Sequence, residues 1–212
     1  MFKKTLAYLI GLIILAFGSA FAVASDLGVS PMGALPYVMS HITTLSIGNL
    51  STLKFVIFIL LQILILRKEF RIFDLIQIVF AFIFGFIFDF AIWVLTYVQF
   101  PFGYVGRLGM LATSIVLIAV GLVLLISAKI VPLPPEALCL AITKRWEKLK
   151  FYIVKMSLDS TLVLSALILS LVALGGVHGV REGTIISALA IGRIIPFVKK
   201  AMDPIVRRFT DD

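Results

Sequence analysis

Five polar or charged residues and one proline of this chain are placed where they could bind a small solute within an otherwise apolar sequence. Some lie in two breaks that follow long apolar runs, and others lie inside apolar segments. A charged side chain at membrane depth is costly, so it usually faces a cavity or a charged partner. The candidates for solute binding are Asp26, Ser30, Pro31, Asp89, Glu136 and Arg193.

Arg193 is the strongest single candidate because it lies well inside the last apolar segment, near mid-membrane by length. A guanidinium at that depth suits a carboxylate or another anion. The alternative is that Arg193 pairs with an acid such as Asp89 for structural reasons. Asp89 shares a helical face with Ala81 and Gly85, but it lies near the outer end of its segment, so exposure at the membrane interface is an alternative for it.

The first break contains Asp26, Ser30 and Pro31 and interrupts a segment that is ready to cross a membrane. Proline lacks a backbone N–H and suits the first position of a helix, and serine is a good residue to cap that helix. The pattern predicts a helix, a break and a short half-helix from Met32 to about Thr44. An ordinary external loop is the alternative.

A second copy of the pattern follows a later apolar run and indicates an internal duplication. Gly18 and Gly121 match at the same offset as Pro31 and Pro134. Glu136 then falls in the first turn of a second half-helix, where a carboxylate suits the positive end of the helix dipole. The two repeats cover about residues 5–97 and 108–200.

The composition identifies an integral membrane protein. Hydrophobic residues make up 61% of the chain, charged residues 14%, and the mean hydropathy is +1.16, far from the values of soluble domains. With 212 residues, the chain has room for about six spans of ~20 residues in one domain, residues 1–212. One cysteine, Cys139, and two histidines give little support for a metal site, and no cofactor is expected.

The basic residues predict the orientation. Six spans are predicted, and most lysines and arginines then fall on one side, so both termini are expected in the cytoplasm. Lys54 is among the few exceptions. The stretch from Lys144 to Lys155 is interpreted as a basic segment at the membrane surface. Asp159 lies close to the start of the fifth span. The net charge of +8 records this topology and does not indicate nucleic-acid binding. The predicted spans are about 5–25, 50–66, 72–96, 108–128, 156–174 and 183–197.

Three spans in each half require the second half to enter the membrane from the opposite side. The predicted fold is therefore an all-α membrane protein of two inverted three-helix repeats, each with a half-helix after its first span. Two half-helix N-termini that converge at mid-membrane are typical of secondary transporters.

The residues Gly18-Ser-Ala, Asp26-Leu-Gly-Val-Ser-Pro31, Ser46-Ile-Gly48 and the segment from Gly183 to Gly192 resemble the YczE-like family of small bacterial membrane proteins, related to the YitT group. This resemblance implies a bacterial inner-membrane location and a loosely presumed transport role. The sequence departs from the expected pattern in its second half, where Pro134-Pro-Glu136 replaces a Gly-Pro-Arg-Asp-like turn.

No enzyme motif is found in the sequence. We therefore expect a secondary transporter or facilitator for a small polar or anionic solute, such as an organic acid, an amino acid or an inorganic anion. The alternative is a non-transporting membrane scaffold or regulatory partner. The expected partners are the lipid bilayer and the solute, with a homodimer as a further possibility.

Overall fold

A computed structural model of the chain describes residues 2–98 and 103–210. Within these ranges, the regular secondary structure is entirely helical. Eight α-helices are joined by short connections, and two short 3₁₀ helices, Arg67–Glu69 and Ile72–Leu75, precede the fourth. The α-helices are α1 Phe2–Ser25, α2 Pro31–Ile42, α3 Ile47–Leu66, α4 Ile76–Tyr97, α5 Tyr104–Ala128, α6 Pro134–Arg145, α7 Phe151–Leu174 and α8 Glu182–Thr210.

Five helices are long and apolar enough to cross a membrane, namely α1, α3, α4, α5 and α7, which agrees with a multipass membrane protein. The sixth predicted span falls in α8, which is not among these five. The apolar part of α8 contains Arg193 and ends at Lys199 and Lys200. Five of the six predicted spans are therefore long apolar helices, and the arrangement of six is not confirmed.

Both predicted breaks separate a long helix from a short one. Pro31 and Pro134 each occupy the start of a helix of 12 residues, α2 and α6, which is too short to span a membrane. Ser30 holds the N-cap position of α2, but its hydroxyl makes no capping hydrogen bond. The Ser30 carbonyl instead accepts a hydrogen bond of 2.8 Å from the Gly33 N–H.

Two glycines of α1, Gly11 and Gly18, lie on the face that packs closely against α5. A Cβ atom placed on Gly18 would lie 2.8 Å from the backbone nitrogen of Ile118, and one placed on Gly121 would lie 2.8 Å from that of Leu15. These two contacts are reciprocal, because Gly18 matches Gly121 and Leu15 matches Ile118 at the repeat offset. Close backbone approach at small residues is a common way to join membrane helices.

Other contacts between the helices also come in matched pairs. Helix α1 packs against α4, and its counterpart α5 packs against α8. Each half-helix packs against a long helix of the other half, α2 against α7 and α6 against α3. One pair is not matched: α3 packs along α4, whereas α7 and α8 share no extended contact in the described part of the chain.

Candidate functional site

A cavity of about 600 Å³ lies where the two half-helices begin. Residues of all eight α-helices contribute to its lining. Most of the wall is apolar and includes Phe55, Phe84, Phe88 and Ile118. The starts of α2 and α6 both reach it, α2 through Pro31 and α6 through Pro135. This volume is typical of a small-molecule site.

Lys54 brings a positive charge to the cavity. It lies on α3 and is only 8% exposed. Its ammonium group donates a hydrogen bond to the carbonyl oxygen of Met32, in the first turn of α2, and lies 4.9 Å from the centroid of the Phe55 ring. No carboxylate of a described residue forms a salt bridge with Lys54. Because an ammonium group has three N–H donors, Lys54 keeps donors for a further acceptor.

Lys155 carries the second positive charge and is held between two acids. Its Nζ atom lies 3.5 Å from Oε1 of Glu136 and 3.3 Å from Oδ1 of Asp159. Lys155 and Asp159 are four residues apart on α7, a spacing that places them on one face of the helix. All three side chains are about a quarter exposed and line the cavity.

Glu136 is only partly satisfied by this contact. Its second carboxylate oxygen, Oε2, is buried and has no hydrogen-bond partner among the described residues. Glu136 lies in the first turn of α6, and the start of that helix is fixed because Gln62 Nε2 donates a hydrogen bond of 3.2 Å to the Pro134 carbonyl. Gln62 in turn bonds Gln77 at 3.3 Å.

Ser51 and Ser187 add neutral polar atoms to the wall. Ser187, on α8, is 0% exposed, and its hydroxyl oxygen has no hydrogen-bond partner in the described part of the chain. Ser51 lies on α3 and is 2% exposed. Buried polar atoms are normally hydrogen-bonded, so the unpartnered Ser187 hydroxyl marks a place where a ligand or water could bind.

Three of the six predicted site residues line this cavity. They are Ser30 and Pro31 at the start of α2 and Glu136 in the first turn of α6. The duplication of the break therefore located the cavity, because it identified two helix starts that the fold brings to one place. The other three predicted residues lie outside its lining and have different surroundings.

Asp26 follows the C-terminal end of α1, where its side chain is 60% exposed. Its carboxylate lies 2.7 Å from Arg107 and 3.8 Å from Arg181. The Arg181 guanidinium also donates a hydrogen bond of 2.9 Å to the Asp26 carbonyl. Asp26 thus connects the break between α1 and α2 to the starts of α5 and α8, and it does not line the cavity.

Asp89 acts on the start of α3. Its carboxylate accepts a hydrogen bond of 2.6 Å from the Ser46 hydroxyl and one of 2.7 Å from the Gly48 N–H. Ser46 is the N-cap of α3 and also accepts a hydrogen bond of 3.1 Å from Asn49 N. Asp89 therefore satisfies N–H groups that a helix start leaves free, and no salt bridge joins it to Arg193 in the described structure.

Arg193 is exposed and is not among the residues that line the cavity. The face of α8 toward the cavity carries Ser187, Ala188, Ile191 and Ile195, which recur at the helical spacing of three and four residues. Arg193 lies two positions from Ile191, on the other side of the helix. Arg193 therefore lies outside the lining of this cavity, where Lys54 and Lys155 are the basic residues.

Sequence reasoning missed Lys54, Lys155 and Asp159 as site residues. Lys54 is an isolated lysine within an apolar run. A charged side chain at membrane depth usually faces a cavity or a partner, and this reasoning, used for Arg193, applies equally to Lys54. Lys155 belongs to a basic stretch that suggested only a membrane surface. Its four-residue spacing from Asp159 was the signal that could have set it apart.

Comparison with curated proteins and with solved structures finds no significant match. The resemblance to the YczE-like and YitT groups has no support from the comparisons and stays an expectation. A family model matches residues 2–200, nearly the whole of the chain. The protein belongs to the family of unknown function DUF6198.

Proposed function

We propose that this protein is a secondary transporter or facilitator that moves a small polar or anionic solute across the bacterial inner membrane. One observation carries the proposal: the starts of both half-helices and the buried Lys54 line the same cavity. A soluble binding protein has no need to place such a site among helices that can cross a bilayer. Broken helices around a central site are the usual architecture of secondary transporters.

The matched helix contacts support an inverted repeat. The pairs α1 with α4 and α5 with α8, and the pairs α2 with α7 and α6 with α3, are those that a two-fold axis between the halves would relate. In this arrangement α8 is the sixth span, despite Arg193, and both termini are cytoplasmic. Alternating access then consists of small movements of one half against the other around the cavity.

The electrostatics of the cavity favour a charged or strongly polar solute. Lys54 lies beside the first turn of α2, where the free N–H groups of the helix start add a partial positive charge. An apolar wall strengthens each of these interactions because it excludes water. A solute carboxylate placed there would pair with a cation that has no acidic partner in the described structure.

Purified protein in lipid vesicles tests this proposal. Amino acids, organic acids and inorganic anions are presented to it singly, and we measure both thermal stabilisation and uptake into the vesicles. We expect at least one solute to do both, and Lys54→Met to abolish both. Lys144→Met is the matched control, because Lys144 is a surface lysine 59% exposed.

A scaffold or regulatory protein is the alternative, and the same measurements separate it from a transporter. Stabilisation without uptake would indicate a binding protein that does not transport. If no solute of the panel stabilises the protein or enters the vesicles, the transport proposal is wrong.

A further inference from the structure

The charged groups of the cavity differ in how well they are paired. On the α2 side, Lys54 has spare N–H donors and no acidic partner among the described residues. On the α6 side, Glu136 and Asp159 share the single cation Lys155. Both salt bridges among these groups involve Lys155, so Lys54 is left without one in the described structure.

The α2 side consists of more than a helix start. Lys54 is more than nine-tenths buried, and its ammonium group is held against the first turn of α2 by the bond to Met32. Ser30 and Gly33 of the same turn line the cavity with it. A carboxylate at this place would meet the Lys54 ammonium, the Ser30 hydroxyl and the positive end of the helix dipole.

The α6 side offers an acceptor that the fold leaves unused. Oε2 of Glu136 is buried without a hydrogen-bond partner among the described residues, although Oε1 lies near Lys155. A buried carboxylate oxygen without a donor is costly. An ammonium group of a solute would supply donors to Glu136.

Much of the remaining wall of the cavity is apolar. Phe55, Phe84 and Phe88 approach it from α3 and α4, and Ile118 and Leu122 approach it from α5. A sugar or an inorganic anion would leave these side chains without a partner and the Glu136 oxygen without a donor. An apolar side chain on the solute would bury surface against them.

We propose that the solute is a zwitterionic amino acid with an apolar side chain, whose carboxylate pairs with Lys54 at the start of α2 and whose ammonium group pairs with Glu136 at the start of α6. The proposal rests on the proposed transport function and narrows its solute class. It also assigns opposite roles to the two half-helices, because α2 holds the anionic end of the solute and α6 holds the cationic end.

Three probes that share one side chain test the proposal. Leucine carries both charges, 4-methylpentanoate lacks the ammonium group, and 3-methylbutylamine lacks the carboxylate. Methionine and phenylalanine are measured beside leucine so that the result does not depend on one side chain. Thermal stabilisation and calorimetric binding are recorded for the intact protein in lipid nanodiscs.

We expect at least one of the three amino acids to bind, and each single-charge analogue to bind at least about tenfold more weakly, because each lacks a charge-assisted contact. Lys54→Met should weaken amino-acid binding by about tenfold or more and leave 3-methylbutylamine binding unchanged. Glu136→Gln should weaken amino-acid binding and leave 4-methylpentanoate binding unchanged. These complementary losses would not follow from a general disturbance of the fold.

Other results overturn the proposal in distinguishable ways. If 4-methylpentanoate binds as tightly as leucine, the site recognises a simple anion, and the transport function survives without the zwitterion. If none of the three amino acids binds but another solute enters vesicles, the solute class is wrong and the function stands. If nothing binds and nothing enters, both proposals fail. Lys144→Met is again the control variant and should bind as the unmodified protein does.

Discussion

Asp89 accepts a hydrogen bond of 2.7 Å from the backbone N–H of Gly48, and this bond joins the C-terminal half of α4 to the first turn of α3. The helices can approach this closely because Gly48 and Gly85 lack side chains: a Cβ atom on Gly48 would lie 2.1 Å from the Gly85 carbonyl oxygen. Asp89 therefore has a structural role, because it holds α4 against the start of α3 in the first half.

Asp89→Ala should therefore destabilise the protein without changing what it binds. The variant loses the acceptor for the Ser46 hydroxyl and the Gly48 N–H, and the loss of a helix cap costs about 1–2 kcal/mol. Asp89→Asn should cost less because an amide oxygen still accepts from Gly48. Thermal unfolding measures both, with Glu147→Ala as the control at an exposed acid. If Asp89→Ala instead weakened ligand binding without lowering the melting temperature, the structural role of Asp89 would be contradicted.

Gly121→Ala should destabilise the packing of α5 against α1, which joins the two halves. The added methyl group would lie 2.8 Å from the Gly11 carbonyl oxygen and from the Leu15 nitrogen, and backbone atoms cannot move aside cheaply. We expect a loss of about 2 kcal/mol, within the usual range for overpacking. Gly109→Ala is the matched control on α5, because no described atom lies within 4 Å of its added methyl group. Equal melting temperatures of the two variants would contradict the close packing.

The two lysines of the cavity should respond in opposite directions when each is replaced by methionine. Without solute, Lys54→Met should leave stability unchanged or raise it, because it removes a buried cation that forms no salt bridge with a described acid. Lys155→Met should lower stability by about 2 kcal/mol or more, because it removes the cation that Glu136 and Asp159 share. Chemical or thermal unfolding in detergent measures both. Similar losses for both variants would show that Lys54 is also a structural residue.

Arg193→Leu should keep its response to solute. Arg193 is exposed and lies on the side of α8 away from Ser187 and Ile191, which line the cavity. Its charge therefore adds little to the field inside the site. Binding of leucine and of inorganic anions to the variant checks this, and a lost response would return Arg193 to the site.

Reporter fusions test the inverted topology. A reporter fused after Gly103 or Gly176 should be external, and one fused after Lys68 or Lys148 should be internal, because the basic connections are expected in the cytoplasm. Each fusion is made with two reporter enzymes, one active only outside the cytoplasm and one active only inside it, so that each position is measured twice. If Gly103 and Lys148 fall on the same side, the two halves are not inverted.

The features that sequence predicted correctly depend on local chemistry. Pro31 and Pro134 begin helices because a residue without an N–H fits only the start of one. Gly18 and Gly121 were matched from their spacing, although the sequence did not say that α1 and α5 pack together there. These features can be predicted without knowing which helices pack together.

The features that sequence missed depend on which helices meet. Depth alone drew attention to Arg193, but depth does not tell which way a helix faces, and α8 presents Ser187 and Ile191 to the cavity instead. Asp89 was expected near a solute or an interface, but the start of α3 lies beside it in the fold. Lys155 and Glu136 are brought together by the contact between α6 and α7.

The described parts of α7 and α8 share no extended contact, and this affects which substitutions each half of the protein tolerates. Gly85 on α4 and Gly192 on α8 occupy matching places in the two repeats. A side chain at Gly85 would collide with Thr52, whereas no described atom lies within 4 Å of one at Gly192. Packing thus constrains the two copies unequally: a side chain at Gly85 would push α3 and α4 apart, whereas one at Gly192, which lines the cavity, would displace no helix.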